Sequence, residues 1–155
     1  MGKKNYIPEG EWVLQEMLKV AMEDEKNDWL KYRKIAKMAK KEKDREKIFK
    51  IADEEKGHLR KILYIYKRLY GGEDLKLHAI TPKTYSFDIA LGKAIATEYQ
   101  GLAFYREVLG RIPCDELKKI IRTIMAEEQN HAIILENILN HCQGGFSNRA
   151  ARIDG

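Results

Sequence analysis

Ile51-Ala52-Asp53-Glu54-Glu55-Lys56-Gly57-His58 and Ile124-Met125-Ala126-Glu127-Glu128-Gln129-Asn130-His131 are one pattern written twice, 73 residues apart. Each holds a Glu and a His three residues apart, and residues at i and i+3 share a helix face. The same offset lays Ile48 on Ile121 and, upstream, Ala21 on Ala94, Glu25 on Glu98, Tyr32 on Tyr105 and Arg33 on Arg106. No gap is needed to align these positions. The chain therefore reads as two related halves, and the repeated positions include polar residues with chemical potential as well as apolar ones.

Working outward, apolar residues recur at helical spacing in four segments. The first runs from about Glu9 to Lys40, with the stripe Leu14, Leu18, Ala21, Glu25, Trp29, Tyr32, Ala36, Ala39. The second runs from about Asp44 to Tyr70, with Ile48, Ile51, Glu55, Leu59, Ile62, Tyr66, Leu69, and Gly71-Gly72 supplies its stop. The third begins at Ser86, a helix-capping residue type, and runs to Arg111 through Leu91, Ile95, Glu98, Leu102, Tyr105, Leu109. The fourth runs from about Cys114 to His141 through Leu117, Ile121, Ile124, Glu128, His131, Leu135, Ile138, with Gly144-Gly145 expected to close it. This is an all-α four-helix bundle built from two hairpins. The expected domain spans 1–145, followed by a flexible tail over 146–155. The linker from Gly71 to Tyr85 must return along a helix of about 39 Å at 1.5 Å per residue. Extended, it reaches about 50 Å. The same length would let hairpins swap between two chains of a homodimer.

Composition agrees with one soluble domain. The chain has 155 residues, 44% hydrophobic and 34% charged, with three Pro. Its net charge of +5 would suit nucleic acid or an anionic membrane. Its basic residues, however, are interleaved with acids, as in Lys40-Lys41-Glu42-Lys43-Asp44-Arg45-Glu46-Lys47, the pattern of a solvated helix face. No nucleic-acid or membrane partner is expected. The polar start Met1-Gly2-Lys3-Lys4-Asn5 has no signal-peptide run, and Cys114 and Cys142 form no CxxC pair. A reduced, cytoplasmic protein follows as the expectation.

Each apolar stripe carries an acid near its centre: Glu25, Glu55, Glu98 and Glu128. Four ionised carboxylates gathered in a bundle core repel one another, and each costs several kcal/mol to desolvate. Two divalent cations would balance them, with neutral His58 and His131 completing the ligand set. Oxygen-rich sites with one His per metal suit iron or manganese, and zinc could also bind. The plain alternative is a buried Glu–His hydrogen-bond network without metal. A lone Glu-x2-His is a weak signal; two copies, each matched with a mid-helix Glu, form the arrangement of di-metal carboxylate bundles.

At these residues, from Ala21-Met22-Glu23-Asp24-Glu25 through His58 and from Ala94 through His131, the sequence resembles the rubrerythrin branch of the ferritin-like superfamily. The likeness extends over roughly Trp12 to Leu139. It implies a ferritin-like fold with a long crossover between the second and third helices. It also implies a non-haem centre of two iron ions that reacts with hydrogen peroxide or dioxygen. By the family pattern, Glu55 and Glu128 bridge the metals, and Glu25 and Glu98 are terminal ligands. Rubrerythrins proper add a rubredoxin-like domain with two CxxC pairs; the sequence lacks it, so electrons would come from a separate donor protein. They also carry a further Glu one turn past the helix-three ligand, where this chain has Gly101. An open coordination position or a water is expected there.

Tyr32 and Tyr105 fall seven residues after Glu25 and Glu98, on the same face, and are candidate catalytic residues touching the ligand carboxylates; the alternative is a packed Tyr with a satisfied hydroxyl. Glu54 and Glu127 read first as solvated flank acids, and alternatively as partners orienting His131 and His58. Arg33 and Arg106 read as surface ion pairs. His78 lies in the linker and His141 at a helix end, and neither is assigned to the site. Trp12, Trp29, Tyr64, Tyr66 and Tyr70 read as packing residues or a dimer surface.

Four functions compete. The first is a redox enzyme reducing peroxide or dioxygen. The second is a ferroxidase passing iron to a store; cage storage ranks lower because only the short segment after Gly145 could form the extra helix that ferritin cages commonly use. The third is a manganese site disproportionating peroxide. The fourth is a metal-binding or purely structural bundle.

Overall fold

The computed structural model describes residues 13–72 and 75–150, with side chains placed up to residue 142. Four helices follow one another: α1 (Leu14–Met38), α2 (Glu42–Tyr70), α3 (Phe87–Arg111) and α4 (Asp115–Ala150). They form a ferritin-like four-helix bundle. α1 packs against α2 and α3 against α4 as hairpins, while α1 meets α3 and α2 meets α4 more lightly. One chain closes the bundle by itself.

The helix ends have local causes. Between α1 and α2 only Ala39, Lys40 and Lys41 lie outside the helices, and the Arg45 guanidinium donates to the Ala39 carbonyl at 3.0 Å. Gly71 ends α2 at φ 90°, a conformation that suits glycine, and its N–H donates to the Lys67 carbonyl. Ile112 ends α3, because the ring of Pro113 disfavours helical geometry in the residue before it. Ser86 occupies the expected position before α3, but its side chain makes no capping hydrogen bond.

The fourth helix departs from expectation. It does not close at Gly144-Gly145; it runs through both to Ala150. A glycine inside a helix costs only about 0.5–1 kcal/mol relative to alanine, and no proline follows to stop the run. His141 is therefore inside α4, its Nδ1 2.6 Å from the Asn137 carbonyl oxygen. The expected flexible tail meets helix as far as Ala150; residues 151–155 lie outside the described residues, as does Trp12.

The crossover tracks α1 along its length. Its His78 and Ile80 amides donate to Glu23 and Asn27, and Lys34 donates to the Pro82 carbonyl and the Thr84 hydroxyl. The crossover thus takes the return path along the bundle that its length allows. Core side chains form two apolar clusters. One gathers Leu18, Met22, Ile62, Ile65, Leu117 and Ile121, and the other Ile35, Ile48, Ile51, Leu91 and Leu135. The polar layer described next lies between them. Among the aromatics, Tyr66 is buried and accepts a hydrogen bond from Gln15, Tyr64 and Tyr70 are exposed, and Trp29 is half-buried beneath Lys56.

Candidate metal centre

Glu25, Glu55, His58, Glu98, Glu128 and His131 converge in the middle of the bundle, and their exposures run from 0% to 4%. Each helix contributes through the polar break in its apolar stripe; α2 and α4 contribute two residues each because i and i+3 share a face. The six form two overlapping groups of four in which the potential ligand atoms lie within 4.8 Å of one another: Glu25, Glu55, His58 and Glu128, and Glu55, Glu98, Glu128 and His131. Glu55 and Glu128 belong to both. The two imidazoles face each other with ring centroids 5.7 Å apart.

Both histidines turn Nδ1 inward. His58 Nδ1 lies 3.0 Å from Glu55 and 2.9 Å from Glu128, and His131 Nδ1 lies 3.0 Å from Glu55. Their outer nitrogens meet acids from the opposite hairpin. His58 Nε2–H donates to Glu127 at 2.6 Å, and His131 Nε2–H donates to Glu54 at 2.7 Å. An ionised carboxylate only accepts, so Nε2 carries a proton in each ring. Nδ1, which is also protonated against the acids in the metal-free protein, is the nitrogen that would be freed to serve as a ligand when a metal binds. Glu54 and Glu127 are thus not simply solvated acids. Lys61 adds a contact to Glu127 at 3.2 Å, and the Glu127 carboxyl, though partial burial works against it, is held below its ordinary value by His58 and Lys61.

The tyrosines also cross between hairpins. Tyr32 on α1 donates to Glu98 on α3, and Tyr105 on α3 donates to Glu25 on α1. Each phenol is pushed well above its ordinary pKa, by burial first and then by the neighbouring acids, so both hydroxyls keep their protons. Arg33 and Arg106 are simply exposed.

Electrostatics makes the cluster costly as it stands. Burial raises Glu25 well above the carboxylate range and lifts Glu128 to about 10. Burial also opposes ionisation of Glu55, but hydrogen bonds from His131 and His58 overcome it and hold this carboxyl low. His131 rises to about 11 despite its burial, because Glu55 and Glu98 surround it. Protons supply the counter-charge here. Even so, Glu25 Oε2, Glu55 Oε1, Glu98 Oε2, Glu128 Oε1 and His131 Nδ1 are buried with no well-formed hydrogen bond among the described residues; their polar contacts are the imidazole–carboxylate approaches of the cluster itself, at 2.9–3.8 Å. Five together, all hard or borderline donors aimed into one layer, fit a pair of divalent cations with oxygen-rich shells.

Two features escaped the sequence. Asp28, one turn after Glu25, pairs with Lys31 at 2.5 Å, and burial pushes its carboxyl up to about 6. The signal was present, since the 73-residue offset lays Asp28 on Gly101. A cavity of about 370 Å³ opens beside these two positions and reaches Glu25, Tyr105 and Glu128.

A family model described as Rubrerythrin matches residues 16–91 and 89–152. No curated protein matches. Among solved structures, a hypothetical protein from Pyrococcus furiosus is similar in fold, with a TM-score of 0.78 at 21% identity over 86% of this chain and 92% of that one. No described helix is long and apolar enough to cross a membrane.

Proposed function

The chain belongs to the rubrerythrin family, and from that premise we propose that it is a non-haem di-iron oxidoreductase, reducing hydrogen peroxide or dioxygen with electrons from a separate donor protein. The observation that carries this reading is the buried layer of four carboxylates and two imidazoles, whose potential ligand atoms form two overlapping groups that share Glu55 and Glu128. In this reading Glu25, Glu55, His58 and Glu128 hold one iron and Glu55, Glu98, Glu128 and His131 the other. A pair of irons bound there would supply electrons to an O–O bond and Lewis acidity to its oxygens.

The chain's own groups do the rest. Glu127 and Glu54 fix the imidazole tautomers from outside. Tyr32 and Tyr105 orient Glu98 and Glu25 through hydrogen bonds and keep a proton on each phenol oxygen beside the site. The apolar clusters above and below the layer lower the local dielectric, which strengthens electrostatic interactions inside it.

Anaerobic loading with iron, followed by stopped-flow mixing with hydrogen peroxide or with dioxygen, tests the proposal. Two irons per chain and faster oxidation by peroxide are expected. Faster oxidation by dioxygen would move the reading to an oxidase or ferroxidase. A loaded protein inert to both would end the redox reading.

A further inference from the structure

The cavity over the site is built by an asymmetry in an otherwise repeated structure. The crossed pairs Tyr32–Glu98 and Tyr105–Glu25 show that α1 and α3 run antiparallel across the centre. Midway between those pairs, Asp28 on α1 and Gly101 on α3 come opposite each other. The repeat makes them equivalent, yet one half carries a carboxylate turned to Lys31 and the other carries no side chain. A Cβ on Gly101 would stand 3.0 Å from Glu128 Oε2, so that carboxylate would have to give by a few tenths of an ångström. Glycine at 101 therefore leaves Glu128 unpressed and the space beside it open.

That space is larger than the small oxidants require. Hydrogen peroxide and dioxygen have volumes on the order of one water, about 30 Å³. The cavity measures about 370 Å³, within the roughly 300–1,000 Å³ of small-molecule sites. Its wall is divided. Phe104, Tyr105 and Ala21 offer apolar surface, Thr97 and Gln100 offer neutral polar groups, and Asp24, Asp28, Glu25 and Glu128 add acids, with no Lys or Arg among them to receive an anion.

We infer that this cavity is the substrate pocket and that it takes a neutral organic hydroperoxide, with its apolar group against Phe104 and Tyr105 and its peroxide end toward Glu25 and Glu128. The inference rests on the proposed function and names the substrate class of that same site. The reaction balances as follows: the O–O bond of ROOH breaks, two electrons arrive singly from the external one-electron donor protein, two protons come from solvent, and the products are ROH and water. Hydroperoxides bearing a carboxylate are poor substrates, because the cavity lining offers no Lys or Arg to receive the anion.

Two measurements decide it. In the zinc-loaded protein, which is redox-inert, 2-phenyl-2-propanol is titrated while amide NMR shifts along α1 and α3 are followed. Saturable shifts centred on the cavity are expected, with affinity falling about ten-fold in Thr97→Phe, whose ring would occupy the cavity. In the iron-loaded protein, stopped-flow oxidation by cumene hydroperoxide is compared with oxidation by hydrogen peroxide and by a fatty-acid hydroperoxide. Cumene hydroperoxide is expected to react at least ten-fold faster per molar than either, and Thr97→Phe to reduce that preference about ten-fold. Absence of alcohol binding, or a preference at or below one, overturns the inference. If hydrogen peroxide still oxidises the iron, the proposed function survives that failure; if no peroxide does, both fall.

Discussion

Removing the carboxylate of Glu127 should weaken one of the two metal sites and spare the other. His58 Nε2 sits 2.6 Å from Glu127, and His58 belongs only to the group containing Glu25. Glu54 stands in the same relation to His131, at 2.7 Å, and His131 belongs only to the group containing Glu98. Loss of such an outer partner generally costs 10–100-fold in metal affinity. The side chains of Glu127 and Glu54 are 35% and 31% exposed, so water can replace part of the lost contact. The lower end applies: roughly ten-fold, or about 1.4 kcal/mol. Glu127→Gln keeps a carbonyl acceptor and loses only charge, so it should fall short of Glu127→Ala. Anaerobic chelator competition with Fe(II) or Mn(II), fitted to two binding steps, reads the effect. One weakened step is expected in each single variant and two in the Glu54→Ala/Glu127→Ala double variant. Equal weakening of both steps in either single variant would refute the assignment of one outer carboxylate to each site.

Other perturbations follow from the same geometry. Replacing Tyr32 and Tyr105 together by Phe should leave metal content intact and slow oxidation of the reduced site; unchanged stopped-flow rates would remove the tyrosines from the mechanism. Without metal, that variant should also lose about 1–3 kcal/mol per lost hydroxyl, because Glu98 and Glu25 would each lose the hydroxyl that donates to them; urea melts of the apo-protein check this. Asp28, raised by burial from an ordinary value near 4 to about 6, binds its proton more tightly folded than unfolded. Its contribution is complete below about pH 4 and is lost as pH rises through 6. Wild type should therefore lose as much as about 3 kcal/mol relative to Asp28→Asn across that window; a constant difference between their denaturation curves would contradict the raised value. With Tyr64 and Tyr70 exposed near the end of α2, we expect a homodimer, and elution at monomer mass or at cage mass would exclude it.

The sequence made the bundle legible because its acids interrupt otherwise regular apolar stripes, and because a repeat fixes which positions matter twice. Periodicity within a helix says which residues share a face, so Glu55 with His58 and Glu128 with His131 could be read directly. It does not say which helix stands opposite. Tyr32 shares a face with Glu25 but donates to Glu98, and only antiparallel packing of α1 on α3 produces that exchange. Glu54 and Glu127 show the same limit. A half-exposed acid on a charged helix resembles its neighbours until the opposing hairpin brings an imidazole within 2.7 Å. The error at Gly144-Gly145 has a different origin: glycine weakens a helix without forbidding it, and a stop needs a further cause such as a proline or a left-handed turn.

Gly101 marks the farthest point of that limit, because what matters there is a missing atom. In the sequence, a glycine within a helix reads as a modest cost, about 0.5–1 kcal/mol against alanine. In the fold, the hydrogen at 101 faces Glu128 Oε2 at a place where a methyl carbon would stand 3.0 Å away. The helix accepts the weaker residue and the site gains both an undisplaced carboxylate and an open wall. The equivalent position in the first half points the same way, since Asp28 is withdrawn toward Lys31. Two halves built on one pattern have thus diverged at their shared axis, and both changes clear the same space. A repeat selected only for packing would have no reason to lose a side chain there, so access to the ligand layer is the constraint that best accounts for the difference.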